Sequence, residues 1–157
     1  MSDQAPEIGA PAPAFDLPAD GGKTLSLDAH KGKTVVLYFY PKDDTKGCTT
    51  EAIGFSEKIG EFEAAGAVVI GVSKDPVKKH DKFITKHDLK VALISDEESD
   101  LCERYGVWVE KSMYGKKYMG IERSTFVIDG DGVLQKEWRK VKVPGHVDAV
   151  LEAVQAL

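Results

Sequence analysis

Two uninterrupted runs of β-branched and aromatic residues constrain this chain more than any other feature: Val35-Val36-Leu37-Tyr38-Phe39-Tyr40 and Ala67-Val68-Val69-Ile70-Gly71-Val72. A strand with one wet face alternates apolar and polar positions, whereas a run with almost no polar position has both faces covered. Both runs therefore read as central strands, and Pro41 ends the first because it has no N–H for a ladder. Between them Ala52, Phe55, Ile59 and Phe62 recur at helical spacing, with Gly66 placed as a C-terminal stop. Strand, helix and strand at this separation form a βαβ unit with its strands parallel.

The remaining patterns extend that unit. Asp20-Gly21-Gly22 between short apolar pieces predicts a hairpin over 15–27. Asp75-Pro76 opens a helix that ends near His87, with Val77 and Ile84 supplying part of its inner face. Val91 to Ile94 reads as a short strand, and Ser99 to Tyr105 as a short helix stopped by Gly106. Two further strands, Ser124 to Ile128 and Val133 to Trp138, flank Asp129-Gly130-Asp131-Gly132 as an antiparallel hairpin. Val147, Val150, Leu151, Val154 and Leu157 mark a closing amphipathic helix. Pro6, Pro11 and Pro13 make residues 1–13 an extended N-terminal arm. This order predicts an α/β chain with a thioredoxin-like fold, a central mixed sheet flanked by helices, as one domain over 1–157. A chain of 157 residues can bury such a core without staples.

Charge narrows the function classes. With 21 basic and 26 acidic side chains the net charge is −5, which argues against general affinity for nucleic acid or anionic membrane. The longest apolar run, Val35 to Tyr40, is too short to cross a bilayer. Met1-Ser2-Asp3-Gln4 lacks the basic and apolar regions of a secretory signal, so the expected location is the cytoplasm. Four histidines are present; His80 and His87, seven residues apart on one helix, sit about 10 Å apart along its axis, too far to share an ion. No metal or organic cofactor is expected.

Only two cysteines occur, Cys48 and Cys102, and they form no C-x-x-C pair. Cys48 lies in Tyr40-Pro41-Lys42-Asp43-Asp44-Thr45-Lys46-Gly47-Cys48-Thr49-Thr50-Glu51, where the first central strand hands over to the following helix. The carboxyl ends of strands are where α/β sheets collect reactive groups. In the first turn of a helix, free N–H groups and the positive end of the dipole favour an anion, here a nucleophilic thiolate. Thr45 and Thr49 bring hydroxyls, and Gly47 allows close backbone approach. A nearby cation would hold the thiolate and polarise an approaching oxygen. Arg123, at the head of Ser124-Thr125-Phe126-Val127-Ile128, is the best candidate, because most other basic residues lie in polar, lysine-rich stretches.

Pro41-x-x-x-Thr45-x-x-Cys48 with the distant Arg123 resembles the peroxiredoxin active-site signature. Further blocks resemble the Q subfamily, also known as bacterioferritin comigratory protein. They are Tyr38-Phe39-Tyr40-Pro41-Lys42, Gly47-Cys48-Thr49-Thr50-Glu51-Ala52, Tyr105-Gly106-Val107-Trp108 and Arg123 to Asp129. The similarity runs in order from about Gly9 to the C-terminus. It implies a thiol-dependent peroxidase acting through a Cys48 sulfenic acid, with hydrogen peroxide as substrate and organic hydroperoxides as a further candidate that the sequence leaves open. It further implies that Pro41 shields the pocket, Thr45 hydrogen-bonds sulfur and peroxide, Arg123 orients both, and Glu51 holds the arginine. A monomer, reduced by thioredoxin or glutaredoxin with glutathione as a further candidate, also follows from the resemblance.

The sequence departs from that pattern in the second half of the cycle. Relatives carry a resolving cysteine five positions after the first or in the next helix; here those positions hold Ile53 and the Ile84 region. Cys102 is the sole remaining candidate, and its neighbours Leu101 and Tyr105 argue for a core-facing structural thiol. A Cys48–Cys102 bond needs Cα atoms within about 7 Å. A one-cysteine cycle completed by an external thiol is therefore favoured over an internal disulfide. The alternative outside catalysis is a thioredoxin-like redox sensor or chaperone, against which the joint presence of Thr45 and Arg123 speaks.

Overall fold

The structure is a computed structural model and describes residues 6–157. Its elements are β1 (Asp16–Pro18), β2 (Thr24–Ser26), β3 (Thr34–Phe39), α1 (Lys46–Glu57), α2 (Ile59–Ala64), β4 (Ala67–Ser73) and α3 (Val77–His87). There follow β5 (Ala92–Ser95), α4 (Leu101–Arg104), β6 (Trp108–Met113), β7 (Lys116–Ile121), β8 (Ser124–Ile128), β9 (Leu134–Trp138) and α5 (His146–Gln155). The central sheet has five strands in the order β5-β4-β3-β8-β9. β3 is parallel to β4, with Val36 opposite Val69, and antiparallel to β8, with Leu37 opposite Phe126. This is the mixed, helix-flanked sheet expected of a thioredoxin-like fold.

Alternation along β3 divides the core. Val35, Leu37 and Phe39 face one cluster with Ile70, Tyr105, Phe126 and Ile128. Val36, Tyr38 and Tyr40 face the other, with Phe55, Phe62, Phe83, Val150 and Val154 from the helices. Both faces of the sheet are covered, which is why its central strands contain so few polar positions. Residues 1–5 of the expected arm lie outside the described residues. Beyond them, Gly9 and Ala12 donate backbone hydrogen bonds to Leu134 and Gly132, and Leu134 donates to Ala10, so this segment shields one edge of the sheet.

One local expectation needs correction, and two further features go beyond the sequence reading. The single helix read over Ala52 to Phe62 breaks at Lys58 (φ −101°, ψ 7°) into α1 and α2. Gly54 and Gly60 weaken helix on either side, and the break brings the Phe55 and Phe62 rings to 5.8 Å. In α3 the buried side chains are His80 and Phe83, while Val77 and Ile84 are only half-buried. Ile84 packs against the helix-side core as its inner-face reading expects, and the polar ring of His80 enters the interior as well. The β6–β7 ribbon, over which the sequence reading assigns no element, carries no clear periodicity because nearly all of it is exposed or half-buried. Its tip, Tyr114-Gly115, has φ of 52° and 80°, the two left-handed residues of a tight hairpin turn.

Packing against Tyr38 and burial of His146 set two expectations. A Cβ at Gly71 would lie 2.7 Å from both Tyr38 Cζ and Leu93 Cδ2, in the middle of the sheet. Gly71→Ala is expected to overpack this site, costing about 2 kcal/mol and lowering Tm by about 5 °C in a thermal melt. His146 is packed edge-on to Phe55 and Trp138, with Nε2 2.8 Å from Thr125 Oγ1. Burial, with a smaller contribution from Arg123, pushes its pKa down to about 4. The unfolded chain takes up that proton near the ordinary 6.5, so stability falls as pH drops from 6.5 through about 4. The difference in urea-derived stability between wild type and His146→Gln should change by up to about 3 kcal/mol over that interval, wild type losing more as pH falls, a comparison in which the opposing contribution of the raised Glu51 carboxyl cancels.

Candidate active site

The site is built where β3 ends. Tyr40 still hydrogen-bonds Val72 across the sheet, and Pro41 then starts a loop that reverses into α1. Asp44 takes the left-handed conformation (φ 61°), which sends Thr45 to the N-cap with an extended backbone. Thr45 does not cap the helix with its side chain; its hydroxyl donates to the Lys42 carbonyl at 2.9 Å. Among the described residues the amides of Lys46, Gly47 and Cys48 therefore have no hydrogen-bond acceptor within the chain. They present an anion site at the positive end of a 12-residue helix.

Cys48 is buried there, and β8 supplies its cation. Because β8 runs antiparallel to β3 with Ser124 opposite Phe39, the residue before Ser124 arrives beside the loop that follows β3. That residue is Arg123. Its Nη2 donates to Cys48 Sγ at 3.4 Å and its Nη1 to Glu51 Oε1 at 2.6 Å. Glu51 lies three residues after Cys48, on the same face of α1. The absence of a side chain at Gly47 matters, since a Cβ would come within 3.1 Å of Nη2.

One guanidinium thus serves two acidic groups in a largely dry setting. Burial pushes the Glu51 carboxyl up to about 7 against the opposing pull of Arg123, and its Oε2 has no hydrogen-bond partner among the described residues. Burial works against the Arg123 charge, but Glu51 and Cys48 outweigh it and raise its pKa. The Tyr38 phenol, also buried with no hydrogen-bond partner among the described residues, is driven up by burial and then by Glu51 and Cys48. Lys111 of β6, which sequence reasoning passed over, feels the same field: burial and then Arg123 lower its pKa, and Cys48 opposes them. Its stem lies across Gly120 of the neighbouring strand, whose Cβ would be 3.2 Å from Lys111 Cδ.

Two other groups lie near the loop. A groove of about 500 Å³ opens beside Gly47 between α1 and the start of α5, with Val143, Pro144 and Val147 on one wall. Beneath Pro41, Asp43 is paired with the buried His80, a contact between residues far apart in sequence that no local motif announces. His80 uses both ring nitrogens within the chain, facing Asp43 and the Ile94 carbonyl.

The structure separates the two thiols. Cys48 packs with Tyr38 on one face of the sheet, and Cys102 packs with Phe39 and Tyr105 on the other. Asp96 accepts the amides of Leu101 and Cys102 at the start of α4, and burial followed by the Asp96 charge pushes the Cys102 thiol far up. Among the described residues no helix is long and apolar enough to cross a membrane.

Residues 8–137 match the family described as AhpC/TSA. The chain is 52% identical to peroxiredoxin Bcp of Bacillus subtilis over 149 residues, 95% of each chain. It superposes with a TM-score of 0.92 on a cysteine-to-serine variant of peroxiredoxin Q from Xylella fastidiosa, at 39% identity and 98% of each chain. With the bacterioferritin comigratory protein of Xanthomonas campestris, studied for its alkyl peroxide reduction activity, it shares 48% identity, a TM-score of 0.86 and 90% of each chain. These relatives support the enzyme over the sensor or chaperone alternative. The chain belongs to the AhpC/TSA family and is a peroxiredoxin of the Q, or bacterioferritin comigratory protein, type, a thiol-dependent peroxidase.

Proposed function

We propose that Cys48 is the peroxide-reducing thiolate, served by Arg123, Thr45, Pro41 and Glu51, and that an external thiol regenerates it. The observation that carries this reading is the guanidinium held between Cys48 Sγ and Glu51 at the open N-terminus of α1. Sulfur attacks the terminal oxygen of the hydroperoxide, the O–O bond breaks, and an S–O bond forms. Cys48 becomes a sulfenic acid, and the departing oxygen anion takes up a proton from solvent, matching the one the thiol gave up. The free amides and Arg123 stabilise the developing negative charge. Thr45, whose hydroxyl proton is committed to the Lys42 carbonyl, offers its oxygen as an acceptor for the proton of the hydroperoxide. Pro41, with no N–H of its own, shields the sulfur.

Substrates on this reading are hydrogen peroxide and organic hydroperoxides. The alkyl peroxide activity studied in the Xanthomonas campestris relative supports the second class, and the groove beside Gly47 gives an alkyl group an apolar wall. Regeneration proceeds by attack of an external thiol on the sulfenic acid with loss of water, then by a second thiol that releases Cys48. Thioredoxin, glutaredoxin or glutathione would supply those thiols to a monomeric, single-domain, cytoplasmic enzyme. Supporting the one-cysteine cycle, position 53 and the region around Ile84, where the resemblance implies resolving cysteines, hold none, and the sheet lies between Cys48 and Cys102.

Intact mass after one equivalent of peroxide should show the gain of one oxygen. A loss of two hydrogens with a linked Cys48–Cys102 peptide would sink the one-cysteine cycle. Cys48→Ser should abolish peroxide consumption with an added thiol, while Cys102→Ser keeps most of it. Glu51→Gln retains an acceptor for Arg123 Nη1 and should hold the rate of Cys48 oxidation within about tenfold, whereas Glu51→Ala frees the guanidinium and should cost about 100-fold in stopped-flow. Equal losses in the two Glu51 variants would show that the acceptor does not matter.

A further inference from the structure

A buried titratable cluster that the peroxide chemistry does not use lies directly beneath the loop leading to Cys48. His80 of α3 is fully buried. Its Nε2 faces the Ile94 carbonyl at 3.0 Å, and a carbonyl only accepts, so Nε2 carries a proton. Its Nδ1 lies 2.6 Å from Asp43 Oδ2, so one proton is shared there whichever partner holds it. The other Asp43 oxygen accepts the Tyr40 hydroxyl at 2.5 Å. The Asp43 backbone is held as well, its N–H donating at 2.7 Å to Asp75 Oδ2, which also accepts from Ser73 Oγ. Asp43 thereby ties the end of β3, the loop after β4 and helix α3 together, and His80 extends the link to β5.

The next residue continues the attachment. Asp44, in its left-handed conformation, accepts from Lys86 at 2.8 Å and His87 at 2.9 Å, both on α3. Two successive carboxylates therefore fasten the Pro41–Thr45 loop to one helix, and the kink at Asp44 sets where Thr45 falls. Burying a carboxylate and an imidazole gives little net stability compared with apolar packing, so a role in fixing geometry is the better account of this pair.

We propose that the Asp43–His80 pair, anchored by Tyr40, is the positioning element of the peroxide pocket. It holds the loop against α3 so that Thr45 and the open amides of α1 meet the substrate together. This rests on Cys48 as the reacting thiol. Cys48 and Arg123 are carried by α1 and the head of β8, and neither hydrogen-bonds Asp43. Loosening the loop should therefore damage peroxide reduction, which needs Thr45, far more than alkylation, which needs the thiolate but not Thr45.

The test compares Cys48 oxidation by hydrogen peroxide with Cys48 alkylation by iodoacetamide at one pH in wild type, Asp43→Ala, Asp43→Asn and Tyr40→Phe. Displacement of a positioning group by about 1 Å can cost up to about 100-fold. Asp43→Ala should slow oxidation at least about tenfold while alkylation changes less than about threefold. Asp43→Asn, which can accept from Tyr40 and donate to His80 Nδ1, should recover most of the oxidation rate. The positioning role is overturned if Asp43→Ala oxidises at the wild-type rate, if both reactions fall in parallel, or if Asp43→Asn is no better than Asp43→Ala. Should Asp43→Ala fail to fold, Tyr40→Phe removes one hydrogen bond and is expected to show the same selective loss at about threefold; unchanged selectivity overturns the role. A wild-type protein whose Cys48 resisted peroxide would instead overturn the reading of Cys48 on which this one rests.

Discussion

One positive charge between two acidic groups governs the rest of this molecule. Arg123 cannot shed its proton, so wherever it is buried a compensating anion must be present. Glu51 supplies one hydrogen-bond partner and Cys48, the reacting thiol of the proposed cycle, a second. Placing Glu51 one turn after Cys48 on α1 puts both on the same side of a rigid rod. Bringing a distant arginine to that side requires β8 to lie antiparallel to β3, and this pairing makes the sheet mixed rather than all parallel. The site's electrostatics and the sheet's topology thus express one constraint.

How much of this can be read from the chain follows from the range of each interaction. β3, β4 and the helical stretch between them are legible because their burial is written as continuous apolar runs and a helical period. Cys48 is legible because a strand end, a proline and a following helix lie within a few residues of it. Nothing local marks the approach of Arg123 to α1; elimination among the basic residues and the family resemblance point to it instead.

Other features left no such trace. His80 sits among lysines on a polar-looking helix, so its burial depends on Asp43, 37 residues earlier. The β6–β7 ribbon has no buried face to impose alternation, and a tyrosine rather than asparagine or aspartate begins its turn. The break at Lys58 is set by how Phe55 and Phe62 share one core, which a helical period cannot express. In each case the deciding partner is supplied by tertiary packing rather than by neighbouring sequence.

The sheet between Cys48 and Cys102 has a kinetic consequence. A thiol tethered within reach of a sulfenic acid acts at an effective concentration far above that of any free thiol in solution. Where the sheet withholds that partner, recycling on the proposed cycle becomes second order, and its rate follows the surrounding thiol pool. A second peroxide then competes for the same sulfur and drives it to the sulfinic state when thiols run low. The partition between recovery and irreversible loss would thus be set by the ratio of thiol to peroxide outside the protein, making the oxidised fraction of Cys48 a record of that ratio.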